Sequence, residues 1–336
     1  MIKTVFFGKT PSGEEVYTYE IKNGNTVVTI ANYGARVLSL VYKGVSCVCG
    51  FNTLESLLND GDYHGSIAGR YANRIKDGVF TLNGVTYTLN KNEKGRTHLH
   101  GGNVGFSDRV WELDRSSENS VTLKLVSEDG DEGYPGTLTL FVTYTLENDS
   151  LSIDYDATSD KDTIINLTNH MYFNIGGVGC ESVTEQTLTM YASAIAEVDE
   201  YLIPTGRLLP TKGGAFDFNT PKKLGKDIEA DDVQIKYGGG YDHGFVLSQG
   251  SPAAILHSDK TGITMTVHTT EGGIQMYSAN FMTADNPFFG HIKQERFGAV
   301  CLECNKLPDS PNRPEFPSCV LKKGEHYRQQ TRYCFS

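Results

Sequence analysis

Apolar and polar residues alternate with a period of two along most of the chain, in many short runs. Runs at 15–21, 26–31, 36–41, 79–82, 85–89, 120–126, 137–146, 151–157, 164–175, 187–192, 243–247, 263–269, 274–281 and 299–305 are rich in branched and aromatic residues. A period of two sends successive side chains to opposite faces and predicts β-strands. Asn83-Gly84, between two of these runs, supplies the positive φ angles of a two-residue hairpin turn. Helical periodicity is confined to 54–59 and 222–230. Strands recurring every 8–15 residues or so, with no repeat and no linker, predict an all-β chain. The expected architecture is one large, mostly antiparallel β-sandwich domain over residues 1–336, with very little helix.

One run differs from an ordinary half-exposed strand. Residues 163–175 read TIINLTNHMYFNI. As a single strand, Ile165, Leu167, Met171 and Phe173 form a core face, with Asn169 the one polar intruder. Asn166, Thr168, His170, Tyr172 and Asn174 form the other face, with no Lys or Glu among them. That face is expected to meet a neutral polar ligand. A second polar face occurs at 299–305, AVCLECN, where Cys301, Glu303 and Asn305 share a side and Val300, Leu302 and Cys304 face away. A carboxylate set in such a strand is costly to bury unless partnered, and desolvation raises its pKa, which suits a general base. The plainer alternative is a glutamate paired with a core arginine.

Other polar groups lie in glycine-bearing segments. THLHGG carries His98 and His100, which point to one side if the segment is extended. A zinc pair would need a third ligand at recognisable spacing, and none is evident, so a single histidine in a polar pocket is the expectation. Asn73 and Arg74 in RYANRI offer donors to hydroxyl groups, although Arg70 and Arg74 are equally read as solvated or ion-paired. GGGYD ends in Asp242, which could simply cap a turn; the absence of a following helix or Lys-Ser/Thr argues against a phosphate loop. Gln275 and Tyr277 share a face of GGIQMY.

Composition narrows the ligand. Thirty Lys and Arg against 41 Asp and Glu give a net charge of −11, which argues against nucleic acid and anionic membranes. No apolar run approaches the roughly 20 residues of a membrane span, and the N-terminal stretch does not read as a signal peptide. Seven scattered cysteines suit free thiols and a cytoplasmic protein better than a disulfide framework. Sequons occur at Asn148 and Asn166, but a glycan at the second would disrupt packing. One histidine, one glutamate, one aspartate, an arginine, amides and tyrosines together suit a neutral polyol. An acid and a base on opposite sides of a sugar allow hydrolysis of a glycosidic bond, which usually takes two carboxylates, or opening of a hemiacetal ring.

Those residues also carry a resemblance. NLTNHMYFNI at 166–175 resembles the signature of the aldose 1-epimerases, or galactose mutarotases, and ANRI at 72–75, LHGG at 99–102, YDH at 241–243, GIQMY at 273–277 and LECNKLPDSPN at 302–312 follow in that family's order. The resemblance covers nearly the whole chain. It implies a large β-sandwich that interconverts the α and β anomers of free hexoses such as galactose and glucose. Glu303 matches the general base that deprotonates the C1 hydroxyl, and His170 matches the acid that protonates the ring oxygen. Asn73, Arg74, His100, Asp242 and Gln275 match sugar-binding positions, and Tyr172 is expected to line the site. No cofactor and no metal are expected; the partner is a monosaccharide, and the protein is expected to be a monomer or weak homodimer. The family usually has Gln two residues after the base, where this chain has Asn305, a change expected to loosen the base's support or shift sugar preference. Cys304, and Leu167 within the signature, also depart from the family pattern, but both face away from the proposed site. The alternatives are a non-catalytic sugar-binding protein, a hexose-phosphate epimerase and, least favoured, a glycoside hydrolase.

Overall fold

The structure is a computed structural model and describes residues 2–248 and 252–336. The alternating runs form strands close to where periodicity places them: Thr26–Ala31, Arg36–Tyr42, Ser120–Ser127, Leu138–Glu147, Ser150–Ser159 and Val300–Asn305. Val79–Leu82 and Val85–Thr88 form the expected hairpin, with Asn83 at φ 52° and Gly84 at φ 78°. Strands pair antiparallel throughout the described residues, apart from one parallel bridge between Tyr71 and Asn166.

Three sheets carry the architecture. Five strands between Lys3 and Ser46 follow one another in order. A nine-stranded sheet has the C-terminal strand His326–Phe335 inserted between Ser150–Ser159 and Thr264–Thr269. The third, six-stranded sheet runs Tyr172–Phe173, Val300–Asn305, Gly273–Tyr277, Asp242–Leu247, Ala192–Val198, Pro204–Pro210. All three feed one apolar cluster, through residues such as Val28, Val142, Ile153, Phe245, Ile274 and Leu302. This is a β-sandwich with its core between the sheets.

Two expectations are corrected. Residues 222–230 hold a single helical turn, the 3₁₀ Leu224–Lys226, after a short strand Lys222–Lys223, and the α-helix follows only at Val233–Gly238, capped by Asp232. An aspartate accepting from the Gln234 amide satisfies an orphan donor of the first turn, which the apolar spacing could not reveal. The run 163–175 is not one strand. It is three two-residue pieces, Thr163–Ile164, Thr168–Asn169 and Tyr172–Phe173, paired respectively with Val320–Leu321, Ile67–Ala68 and Val300–Asn305. The asparagines between them are struts. Asn166 donates to the Ala72 and Lys306 carbonyls, Asn169 to Gly65, and Asn174 to Glu181 and Gly298. Their amides satisfy backbone groups that a bent chain leaves unpaired, so they do not form a ligand-facing row.

Arg70 is another strut. It is buried and donates to the carbonyls of Pro135, Gly136 and Ser127 and to the hydroxyls of Ser127 and Thr163. Burial pulls its pKa down to about 10. Arg70→Met is expected to destabilise the protein by about 3 kcal/mol or more, because several buried acceptors lose their donor. A shift of the urea midpoint measures it, and an unchanged midpoint would show those carbonyls find other partners.

Candidate active site

The floor of the site is one face of the six-stranded sheet. Val300–Asn305 lies between two partners and all six residues are buried. The register opposes Gln275 to Glu303, Tyr277 to both Cys301 and Asp242, and Tyr172 to Cys301. Opposed residues share a face. Glu303, Cys301, Asn305, Gln275, Tyr277, Asp242 and Tyr172 therefore gather on one side, while Leu302, Cys304, Ile274, Met276 and Phe245 go to the core. The wall comes from loops. Arg74–Ile75 pairs with His98–Leu99, and beside this ladder Asn73 at φ 66° and His100 at φ 48° turn into the cavity. Asn and His are among the few residues that tolerate that region.

His98 and His100 consequently diverge. His98 is buried away from the cavity, bonded to the Asn90 carbonyl and the Tyr134 hydroxyl. Asn73, Arg74, His100, His170, Tyr172, Asp242 and Glu303 all border one cavity of about 590 Å³. Gln275 stands behind, donating to Asp242 at 2.6 Å. The decisive geometry is that His170 Nε2 lies 3.5 Å from Glu303 Oε1. The two groups are side by side.

Charges around the pair are distributed unequally. Arg74 is held by Glu93 through Nε at 2.9 Å and Nη2 at 2.8 Å, leaving Nη1 3.9 Å from Asp242. Burial opposes the charge on Arg74, yet the carboxylates of Asp242 and Glu93 keep its pKa above the ordinary value. Burial raises Asp242, with Arg74 offsetting part of the effect. Burial raises Glu303 well above the carboxylate range; Asp242 adds to this and Arg74 opposes it. Burial, followed by neighbouring His64, lowers His170 to about 3. Desolvation thus drives the pair towards neutral forms.

His100, His170 and Glu303 have ligand atoms within 4.8 Å of one another, a constellation that spacing along the chain could not reveal. However, His100 Nδ1 accepts the Asn73 backbone N–H at 3.2 Å. That leaves the proton of a neutral imidazole on Nε2, which faces the cavity as a hydrogen-bond donor. Aromatic rings complete the site: Tyr63 lies 4.7 Å from His100, and Tyr172 stacks 5.0 Å from His170.

Three contributors were not read from sequence. Glu93, in KNEKGR, looks like any solvated acid until the fold places it against Arg74. Tyr63 sits in a loop without periodicity. Cys301, whose Sγ is 3.6 Å from His170 Nδ1, had a signal in its shared face with Glu303.

Residues 17–334 match the family described as aldose 1-epimerase. The chain belongs to the aldose 1-epimerase family. It is 37% identical to a galactose mutarotase of Sus scrofa, covering 98% of this chain and 97% of that protein. It is 36% identical to an aldose 1-epimerase of Escherichia coli, covering 97% and 96%. A galactose 1-epimerase structure from Lactobacillus acidophilus superposes with a TM-score of 0.90 at 27% identity, covering 100% and 98% of the two chains. An aldose epimerase homologue from C. elegans does so with a TM-score of 0.86 at 30% identity, covering 95% and 98%. As a member of this family the protein is a carbohydrate epimerase, an isomerase whose substrate is a monosaccharide.

Asn305, on the face of Glu303, has a buried Nδ2 without a protein partner, and across the ladder stands Gly273, which puts no side chain beside it. Asn305→Gln is expected to be accommodated and to hold kcat at or above its present value. A collapse of kcat in that variant would show that the shorter amide has its own role.

Proposed function

We propose that the protein interconverts the α and β anomers of free hexoses such as D-galactose and D-glucose, with Glu303 as base and His170 as acid. The observation that carries this reading is the 3.5 Å separation of His170 Nε2 and Glu303 Oε1. The C1 hydroxyl oxygen and the ring oxygen are bonded to the same carbon, so an acid and a base that serve both must be neighbours. Glycoside hydrolysis instead separates its two groups by about 5–5.5 Å or by about 6.5–9.5 Å, to hold the anomeric carbon or a water.

In the resting site the pair shares one proton in its neutral arrangement. Incoming hydroxyls and the Arg74 guanidinium favour the carboxylate, and the proton passes to His170. Glu303 then takes the C1 hydroxyl proton as His170 protonates the ring oxygen, and the C1–ring oxygen bond breaks to give the open aldehyde. Rotation about C1–C2 presents the other face, and closure reverses the two transfers. His100, donating through Nε2, and Arg74 hold oxygens near C1; Asn73 and the Asp242–Gln275 pair hold other hydroxyls. General acid and base help contributes typically about 10²–10⁴-fold, enough for a reaction that already proceeds slowly in water.

We read residues 1–336 as one domain, in keeping with an apolar cluster that draws on residues from Tyr19 to Phe335. It acts in the cytoplasm without a cofactor or metal, as a monomer or weak homodimer. Its cysteines are free, and among the described residues no helix is long and apolar enough to cross a membrane. A hexose-phosphate substrate has Lys94 and Arg96 at the cavity rim in its favour, with Asp62 and Glu200 bordering the same cavity against it.

Polarimetry of freshly dissolved α-D-galactose and α-D-glucose at micromolar enzyme tests the reading, with α-D-glucose 6-phosphate as a third arm. Acceleration of the free sugars is expected. An unchanged rate for both would overturn the reading, and acceleration of the phosphate alone would replace it.

A further inference from the structure

Asp60 is a buried carboxylate that no step of the proposed reaction uses. Its side chain is 2% exposed and forms an ion pair with Arg36, whose side chain is 1% exposed. Asp60 also accepts from His64 Nδ1 at 2.8 Å, the His64 amide at 2.9 Å and the Asp62 amide at 3.0 Å. Arg36 in turn donates to the carbonyls of Ser107 and His64. These bonds fasten a loop, 60–66, that has no regular structure before the strand at Ile67 and takes left-handed φ at Tyr63, 60°, and Gly65, 68°.

The loop then reaches the proposed proton donor and the residues beside it. The Gly65 amide donates to the His170 carbonyl at 2.8 Å, and the His170 amide donates to the Ser66 carbonyl at 2.8 Å. The Gly65 carbonyl accepts from Asn169, the residue before the donor. The Asp62 carbonyl accepts the Tyr172 hydroxyl at 3.0 Å. The His64 ring stacks 4.0 Å from Tyr172, and Tyr172 stacks 5.0 Å from His170. His170 is thus held at its backbone by the loop and at its ring by a column of rings that starts on Asp60. A buried ion pair is often no better for stability than apolar residues of similar size, so its use beside the donor calls for a geometric reason.

We propose that Asp60 is a positioning residue: paired with Arg36, it folds the 60–66 loop against His170 and so fixes the plane and depth of the imidazole relative to Glu303. The inference rests on the reading of His170 as the acid. A proton donor displaced by an ångström from its acceptor costs up to about 10²-fold in rate even when all reacting groups remain.

Asp60→Asn keeps the size and an acceptor oxygen but removes the charge that Arg36 pairs with. In mutarotation of α-D-galactose its kcat is expected to fall about 10- to 100-fold with KM close to the starting value, and the His170 imidazole signals in a ¹H–¹⁵N spectrum are expected to move. Should the lone arginine prevent folding, Arg36→Met combined with Asp60→Asn removes the stranded charge, and the same fall and the same spectral change are expected. A folded variant with unchanged kcat would overturn the proposal. So would a fall in kcat with the His170 signals unmoved, because that is a merely structural loss. His170→Asn is assayed alongside. If it keeps its activity, the reading of the acid fails; if it is inactive while a folded Asp60→Asn is unaffected, only the positioning role fails.

Discussion

Glu303→Gln is expected to lose about 10²–10⁴-fold in kcat while keeping its fold. Gln has nearly the shape of Glu and no charge, and Glu303 already sits where burial favours the neutral carboxyl. Its Oε2 has no protein partner, so the substitution breaks no protein hydrogen bond to that atom. What is lost is the capacity to take the C1 hydroxyl proton. Polarimetry and an unfolding curve on the same preparation measure both halves of the expectation. A variant that keeps most of its activity would remove Glu303 from the role of base.

The pH profile follows from the coupling. The active pair carries one proton, and groups this close titrate as a unit. Burial raises the Glu303 pKa and lowers that of His170 to about 3. The pair therefore gains a second proton only near the lowered histidine value and loses its last as pH rises through the raised glutamate value. kcat/KM is expected to stay level through the ordinary carboxylate range at about pH 4.3, where an isolated Glu would titrate. It falls on the alkaline side as the shared proton is lost. An acid limb at the ordinary carboxylate value would contradict a shared proton.

His170→Asn is expected to cause a loss of similar size, about 10²–10⁴-fold in kcat, with some loss of stability. The ring packs against Tyr172 and Tyr63, and its Nδ1 faces the Cys301 thiol, so truncation opens space in a buried wall. Circular dichroism separates the two effects, since activity should vanish at temperatures where the variant is folded. Retained activity would point to His100, whose ring lies 5.2 Å from that of His170 and which already presents Nε2–H to the cavity.

Much of the fold was legible because alternation is local. A strand half buried against a core must alternate, so Thr26–Ala31 and Ser120–Ser127 announce themselves. The 163–175 run misled for the same reason: alternation says which side each residue would take if the strand continued, not whether it does. Asn166, Asn169 and Asn174 bend the chain by satisfying backbone groups from distant segments, and those partners cannot be seen locally. His326–Phe335 alternates buried and exposed along its length, yet its place in the middle of the nine-stranded sheet comes from pairing with residues well over a hundred positions earlier and about sixty positions earlier.

By itself the sequence determined the chemistry available and the face on which much of it lies: Glu303 with Cys301 and Asn305, Gln275 with Tyr277, and His170 in a signature specific enough to indicate the family. Only the tertiary structure decided how these groups meet. It set His170 beside Glu303 at 3.5 Å, turned His100 away from His98, and brought Glu93 to Arg74 and Asp60 to the loop behind the donor. The physical reason is range. Side-chain identity and strand alternation are properties of neighbouring residues, whereas the distance between an acid and a base 133 positions apart (303 − 170) is set by strand register and loop hydrogen bonds across the whole chain.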